Sequence, residues 1–92
     1  MARRKISEPI TTLGDGVDLD NITATGVYHQ QFSSNASLAL NYPAGHAGLL
    51  EVHTPPVGAM SYQRYTVFGG RGIYYRGRYM GKWSPWSQLS TA

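Results

Sequence analysis

The sequence has no cysteine and very little acid, and both absences exclude functions. Without thiols there is no disulfide to staple the fold, no thiolate nucleophile and no Cys-ligated metal, which fits synthesis in a reducing cytoplasm. Five acidic residues occur in 92, and four of them (Glu8, Asp15, Asp18, Asp20) fall before residue 21. After Glu51 there is none. A carboxylate pair flanking a cleft, as glycoside cleavage requires, is therefore not in prospect. The three histidines, His29, His46 and His53, have no zinc-like spacing. No Gly-x-Ser-x-Gly elbow exists, and Gly69-Gly70-Arg71-Gly72 lacks the Lys-Ser/Thr ending of a phosphate loop. The chain reads as no enzyme, with no cofactor and no metal. No apolar run approaches the ~20 residues of a membrane helix. The N-terminus also lacks the apolar core of a signal peptide, so no membrane insertion is expected.

What is present begins with size. A chain of 92 residues makes one domain. Its folded form buries only about 60–65% of the surface that the unfolded chain exposes. With disulfides and metal excluded, oligomerisation is the remaining way to complete so thin a core.

Eleven glycines and five prolines divide the chain into short segments in which seven tyrosines and two tryptophans are prominent. Residues 1–13 read as an N-terminal arm, extended or docked on something else, with Arg3, Arg4 and Lys5 as its basic cluster. From residue 14 to 92 the pattern is that of a β domain. Asp18 is a candidate N-cap for one helical turn ending near Ile22. Strands are predicted over Val27–Phe32, Leu49–His53, Met60–Phe68 and Ile73–Met80, with a short last one over Ser87–Leu89. Pro55-Pro56 closes the second, and Gly69-Gly70-Arg71-Gly72 turns the third into the fourth. The fold class is mainly β: a small antiparallel meander of four to five strands with at most one short helical turn.

The acid-free half carries Arg64, Arg71, Arg76, Arg78 and Lys82, so its field favours anionic partners. Alternation along the fourth strand puts Tyr74, Arg76 and Arg78 on one face and Ile73, Tyr75 and Tyr79 on the other. The first set is the candidate ligand face and the second is expected to pack. Arg71 at the hairpin tip and Lys82 at the next turn complete the candidate site, whose chemistry suits an acidic polysaccharide. The competing readings are solvated arginines or contacts between copies. Basic residues interleaved with aromatics also suit single-stranded nucleic acid. The charge excess is small and no recognition motif accompanies it, so nucleic acid is not the expected partner. Trp83-Ser84-Pro85-Trp86 looks like a clasp ending the meander, with at least one indole expected in the core.

In chain order, Asp18-Leu19-Asp20-Asn21-Ile22-Thr23-Ala24-Thr25-Gly26-Val27-Tyr28, then Asn41-Tyr42-Pro43 with Gly48-Leu49-Leu50-Glu51-Val52, form two blocks. Gln63-Arg64-Tyr65-Thr66, Tyr74-Tyr75-Arg76 and Gly81-Lys82-Trp83-Ser84-Pro85-Trp86 form three more. Together, over about residues 15–90, they resemble the knob domain of bacteriophage tail fibres, the pyocin-knob family. The resemblance implies a compact β module that assembles as a homotrimer in receptor-binding fibres. It implies a non-enzymatic virion component, made in the host cytoplasm and released by lysis, that contributes to attachment to host-surface polysaccharide. The alternative is a structural decoration or adaptor protein of head or tail with no ligand of its own. Family members sit within long fibres, so the chain is either a fragment or a free-standing knob docked on another virion protein through Arg3, Arg4 and Lys5.

Overall fold

The computed structural model describes residues 9–89. The arm's basic cluster, Arg3, Arg4 and Lys5, lies outside the described residues. Seven strands form a single sheet: β1 (Ile10–Thr12), β2 (Gly26–Gln30), β3 (Gly48–His53), β4 (Met60–Val67), β5 (Ile73–Tyr79), β6 (Lys82–Trp83) and β7 (Ser87–Gln88). From β2 to β6 each strand runs antiparallel to the one before it, which is the meander that the turn spacing predicts. β7 returns to pair with β5 alongside β6.

The exception to the antiparallel order is β1, which pairs parallel with β2. It lies at the end of the segment predicted as an arm, so that the last residues of that segment are extended and docked on the sheet. No α-helix occurs among the described residues, only single 3₁₀ turns at Leu19–Asn21, Ser33–Asn35 and Leu38–Leu40. Asp18 caps the first by accepting a hydrogen bond from the Asp20 amide.

One face of the sheet is covered and the other is open. The covered face presents Leu50 and Val52 from β3, then Gln63, Tyr65 and Val67 from β4. Two long irregular connections, before β2 and between β2 and β3, cross this face and supply Leu13, Leu19, Ala36 and Tyr42 to the core. The Tyr42 and Tyr65 rings meet edge to face at 5.6 Å.

Irregular backbone over a core leaves carbonyls in need of donors, and two buried glutamines supply them. Gln63 Nε2 donates to the carbonyls of Leu19 and Ile22 at 2.8 and 2.9 Å. Gln30 Nε2 donates to the Leu13 carbonyl at 3.2 Å and to the Tyr42 hydroxyl at 3.1 Å. The lid is thus latched to the sheet by amides that the sheet itself carries.

Of the glycines, Gly48 has the least room for a side chain. A Cβ there would stand 2.5 Å from the Thr66 carbonyl oxygen and 2.7 Å from the Tyr65 ring. Gly48→Ala must push either the ladder or the ring aside, and the expected loss of stability is about 1–3 kcal/mol. Urea unfolding followed by tryptophan fluorescence measures it. An unchanged midpoint would mean that β3 and β4 can separate at this point without penalty.

Candidate functional site

The β4–β5 register decides which arginines are free. Tyr65 pairs with Tyr74, Gln63 with Arg76 and Ser61 with Arg78. Paired residues share a face, and Tyr65, Gln63 and Ser61 are all buried. Tyr74, Arg76 and Arg78 therefore point towards the covered side, and the predicted ligand face is reversed. Tyr75 and Tyr79, predicted to pack, are 48% and 58% exposed. The physical reason is that both lid connections cross the same side of the sheet, which leaves the Tyr75 side without a second layer.

Arg76 is 5% exposed and engaged through Nε and Nη1, while its buried Nη2 has no hydrogen-bond partner among the described residues. Its Nη1 lies 2.8 Å from Asp20 Oδ1, and its Nε donates to Gln63 Oε1 at 2.8 Å. The guanidinium carbon sits 4.2 Å from the Trp83 ring centroid and 4.5 Å from that of Trp86. Burial pushes the guanidinium down from its usual pKa, opposed by the neighbouring Asp20 carboxylate.

The Trp-Ser-Pro-Trp motif explains how two indoles reach one cation. Trp83 pairs with Arg78 and Gln88 with Tyr74, so the register along β5 shifts by one residue between β6 and β7. Ser84-Pro85 forms this bulge. The Ser84 amide donates to the Gly77 carbonyl at 2.7 Å, and the Gly77 amide donates back to Ser84 Oγ at 3.1 Å. In an unbroken strand, residues three apart face opposite ways; the extra residue returns Trp86 to the side of Trp83. Each indole is then anchored by its own N–H. Trp83 Nε1 donates to the Asp20 carbonyl at 3.1 Å, and Trp86 Nε1 to the Asn41 carbonyl at 2.8 Å. Both rings are half-buried, and Trp86 also packs on the core. This constellation is a structural clasp.

Of the remaining candidates, Arg78 is half-buried, and Arg71 and Lys82 are exposed. Lys82 pairs with Tyr79 and so belongs to the open face. That face assembles residues that the sequence reading did not group. Tyr62 (49% exposed), Arg64, Tyr75 and Tyr79 line it, with Glu51 and His53 from β3. A depression of about 400 Å³ runs between Glu51, His53, Tyr62, Arg64 and Tyr75. Arg64 Nε is 3.7 Å from Glu51 Oε1, a loose pair with both side chains solvated. Tyr62 lies in register opposite Gly77, which contributes no side chain to the face.

No family model matches the chain, and no curated protein does. Among solved structures, an R2 pyocin fibre of Pseudomonas aeruginosa, determined as a C-terminal fragment, is 31% identical with a TM-score of 0.81. That similarity covers 95% of this chain and 23% of the fibre chain. An R1 pyocin fibre of the same species is 32% identical with a TM-score of 0.78, over 95% of this chain and 22% of that one. A tailspike of an Acinetobacter phage shares the fold at 20% identity and a TM-score of 0.74, over 100% of this chain and 17% of the tailspike. The chain thus spans less than a quarter of the length of each of these proteins. Over nearly its whole length the chain is similar, in fold and in sequence, to part of these pyocin fibres.

Proposed function

We propose that the chain is a non-enzymatic virion component of a bacteriophage or phage-tail-like particle, a homotrimeric knob that contributes to attachment to the host surface. The observation that carries this reading is the similarity to pyocin fibres over 95% of the chain at above 30% identity. A non-catalytic role is supported by the employment of the acids. Asp18 caps a turn and accepts from Asn41, Asp20 holds Arg76, and Glu51 lies beside Arg64. The trimer is supported by sheet edges that need covering. The segment before β1 serves, on this reading, to dock on another virion protein through Arg3, Arg4 and Lys5.

The alternative is an adaptor or decoration of head or tail with no ligand of its own. Two measurements separate them. Light scattering at micromolar concentration is expected to give three times the 10.1 kDa chain mass. Fluorescently labelled protein is expected to bind saturably to at least one strain in a panel of Pseudomonas and Acinetobacter cells. A trimer that binds no strain supports the adaptor. A stable monomer that binds no strain removes the fibre reading as well.

A further inference from the structure

We propose that the open sheet face is a platform for an acidic saccharide, with Tyr62 and Tyr75 packing on sugar rings around the bare backbone of Gly77 and with Arg64 meeting the acid group. This inference rests on the attachment reading above and gives it a site and a ligand class.

Three features of the face converge. Its exposed aromatics are tyrosines, which present an apolar ring with a polar tip and suit a ligand that has C–H faces and hydroxyl edges, and Met60 lies exposed beside Tyr62. Tyr75 and Tyr79 flank Gly77 on β5, about 6.7 Å to either side of it by strand geometry. Tyr62 rises from β4 directly across. A Cβ at Gly77 would have the Ser61 carbonyl at 3.8 Å as its nearest neighbour, so the ladder is not what keeps this position bare. Gly77 thus leaves one position of the face without a side chain, between Tyr75 and Tyr79 and opposite Tyr62.

Charge selects the ligand. Arg64 and Lys82 share the face with a single acid, Glu51. A solvated ion pair at 3.7 Å is weak, so the Arg64 guanidinium is available to a better-placed carboxylate and can engage it with two parallel bonds. Meeting of three copies through this face would instead bring three sets of these cations together. An anionic ligand complements the face where a second copy repels it. The arginine of the opposite side, Arg76, is already committed to Asp20 and the two indoles.

The test uses the full chain with three probes: oligogalacturonate and hyaluronan oligosaccharides, which carry carboxylates, and a neutral dextran oligosaccharide. In heteronuclear NMR titrations, the acidic probes are expected to shift the Tyr62 and Tyr75 ring signals and the Arg64 side-chain signal. Dextran should bind at least about tenfold more weakly, since it offers Arg64 no charged acceptor. Arg64→Gln should abolish that preference, and Tyr75→Ala should weaken binding of every probe about tenfold. Both positions are exposed, so melting temperatures should hold. The proposal is overturned when neither acidic probe shifts these residues, or when the shifts fall elsewhere on the molecule. It is equally overturned when Arg64→Gln or Tyr75→Ala releases monomers, which makes the face a contact between copies. Cell binding keeps the two readings apart. Variants that attach to cells as the wild type does remove the platform and leave attachment standing. A wild-type knob that binds the acidic probes but no cells removes attachment and leaves the platform.

Discussion

Arg76→Ala is expected to lower the unfolding free energy by about 3–5 kcal/mol, the range for breaking a buried charged pair. The substitution removes the Asp20 ion pair, the hydrogen bond to Gln63 Oε1 and the stacking of both indoles at once. Each of these partners belongs to a different segment: Asp20 to the first lid connection, Gln63 to β4, Trp83 to β6 and Trp86 to the residue before β7. One guanidinium therefore holds the C-terminal clasp, the central sheet and the lid together. Cation–π stacking is worth about 2 kcal/mol or more where water is excluded, as it is here. Asp20→Asn tests the same cluster from its exposed side, because it leaves the guanidinium buried without its counter-charge. The double variant Asp20→Asn with Arg76→Ala should lose less than the two single changes added together, since neither charge is then left behind. Urea titration of the four proteins gives the coupling directly. Additive losses would show that Asp20 does not hold Arg76, which leaves Gln63 and the indoles to do so. The same logic removes charge reversal at Arg76 as a probe of ligand binding, because the clasp would fail first.

How far the sequence carried this picture follows from what each element depends on. β3 and β4 were legible because their alternation and their flanking Pro55-Pro56 and Gly69-Gly70 are local signals. The Asp18 cap was legible for the same reason. β1 was not, since three residues after a proline become a strand only through parallel pairing with β2, which the local sequence does not encode. The phase of β5 was the consequential error. Ser61, Gln63 and Arg76 face inward while Met60, Tyr62 and Tyr75 face outward, so hydrophobicity alone points the wrong way. A signal was nevertheless available. The hairpin over Gly69–Gly72 brings Tyr65 opposite Tyr74, and from that pair every other partner on the two strands follows. The inward polar residues are those that answer the unsatisfied carbonyls of the irregular lid, and that demand becomes visible only once the lid is in place.

Tyr65→Ala is expected to be as damaging as loss of Arg76, with a fall of about 3–5 kcal/mol for deleting a buried aromatic ring. Tyr65 is 0% exposed, lies edge-on to Tyr42 and packs at the foot of Gly48. Its hydroxyl donates to the His46 carbonyl at 2.7 Å, tying the second lid connection to β4. Tyr65→Phe keeps the ring and loses only this bond, so about 1 kcal/mol is expected from it. The pair of variants separates packing from hydrogen bonding at one position. A third measurement uses ionisation. Burial raises the Tyr65 phenol well above its ordinary pKa of 10.0, reinforced by Tyr42, whose own phenol burial also raises. In the unfolded chain both phenols ionise near the ordinary value, whereas in the folded chain both stay protonated. The native state then binds more protons than the unfolded state, so stability is complete below about pH 10 and declines as pH rises beyond it. Urea midpoints measured from pH 8 to pH 11.5 should be flat at first and then fall steeply. In Tyr65→Phe the fall should be shallower, with Tyr42 supplying what remains. An equal alkaline slope in wild type and Tyr65→Phe would mean that the Tyr65 hydroxyl reaches water in the folded protein and that the lid over it opens.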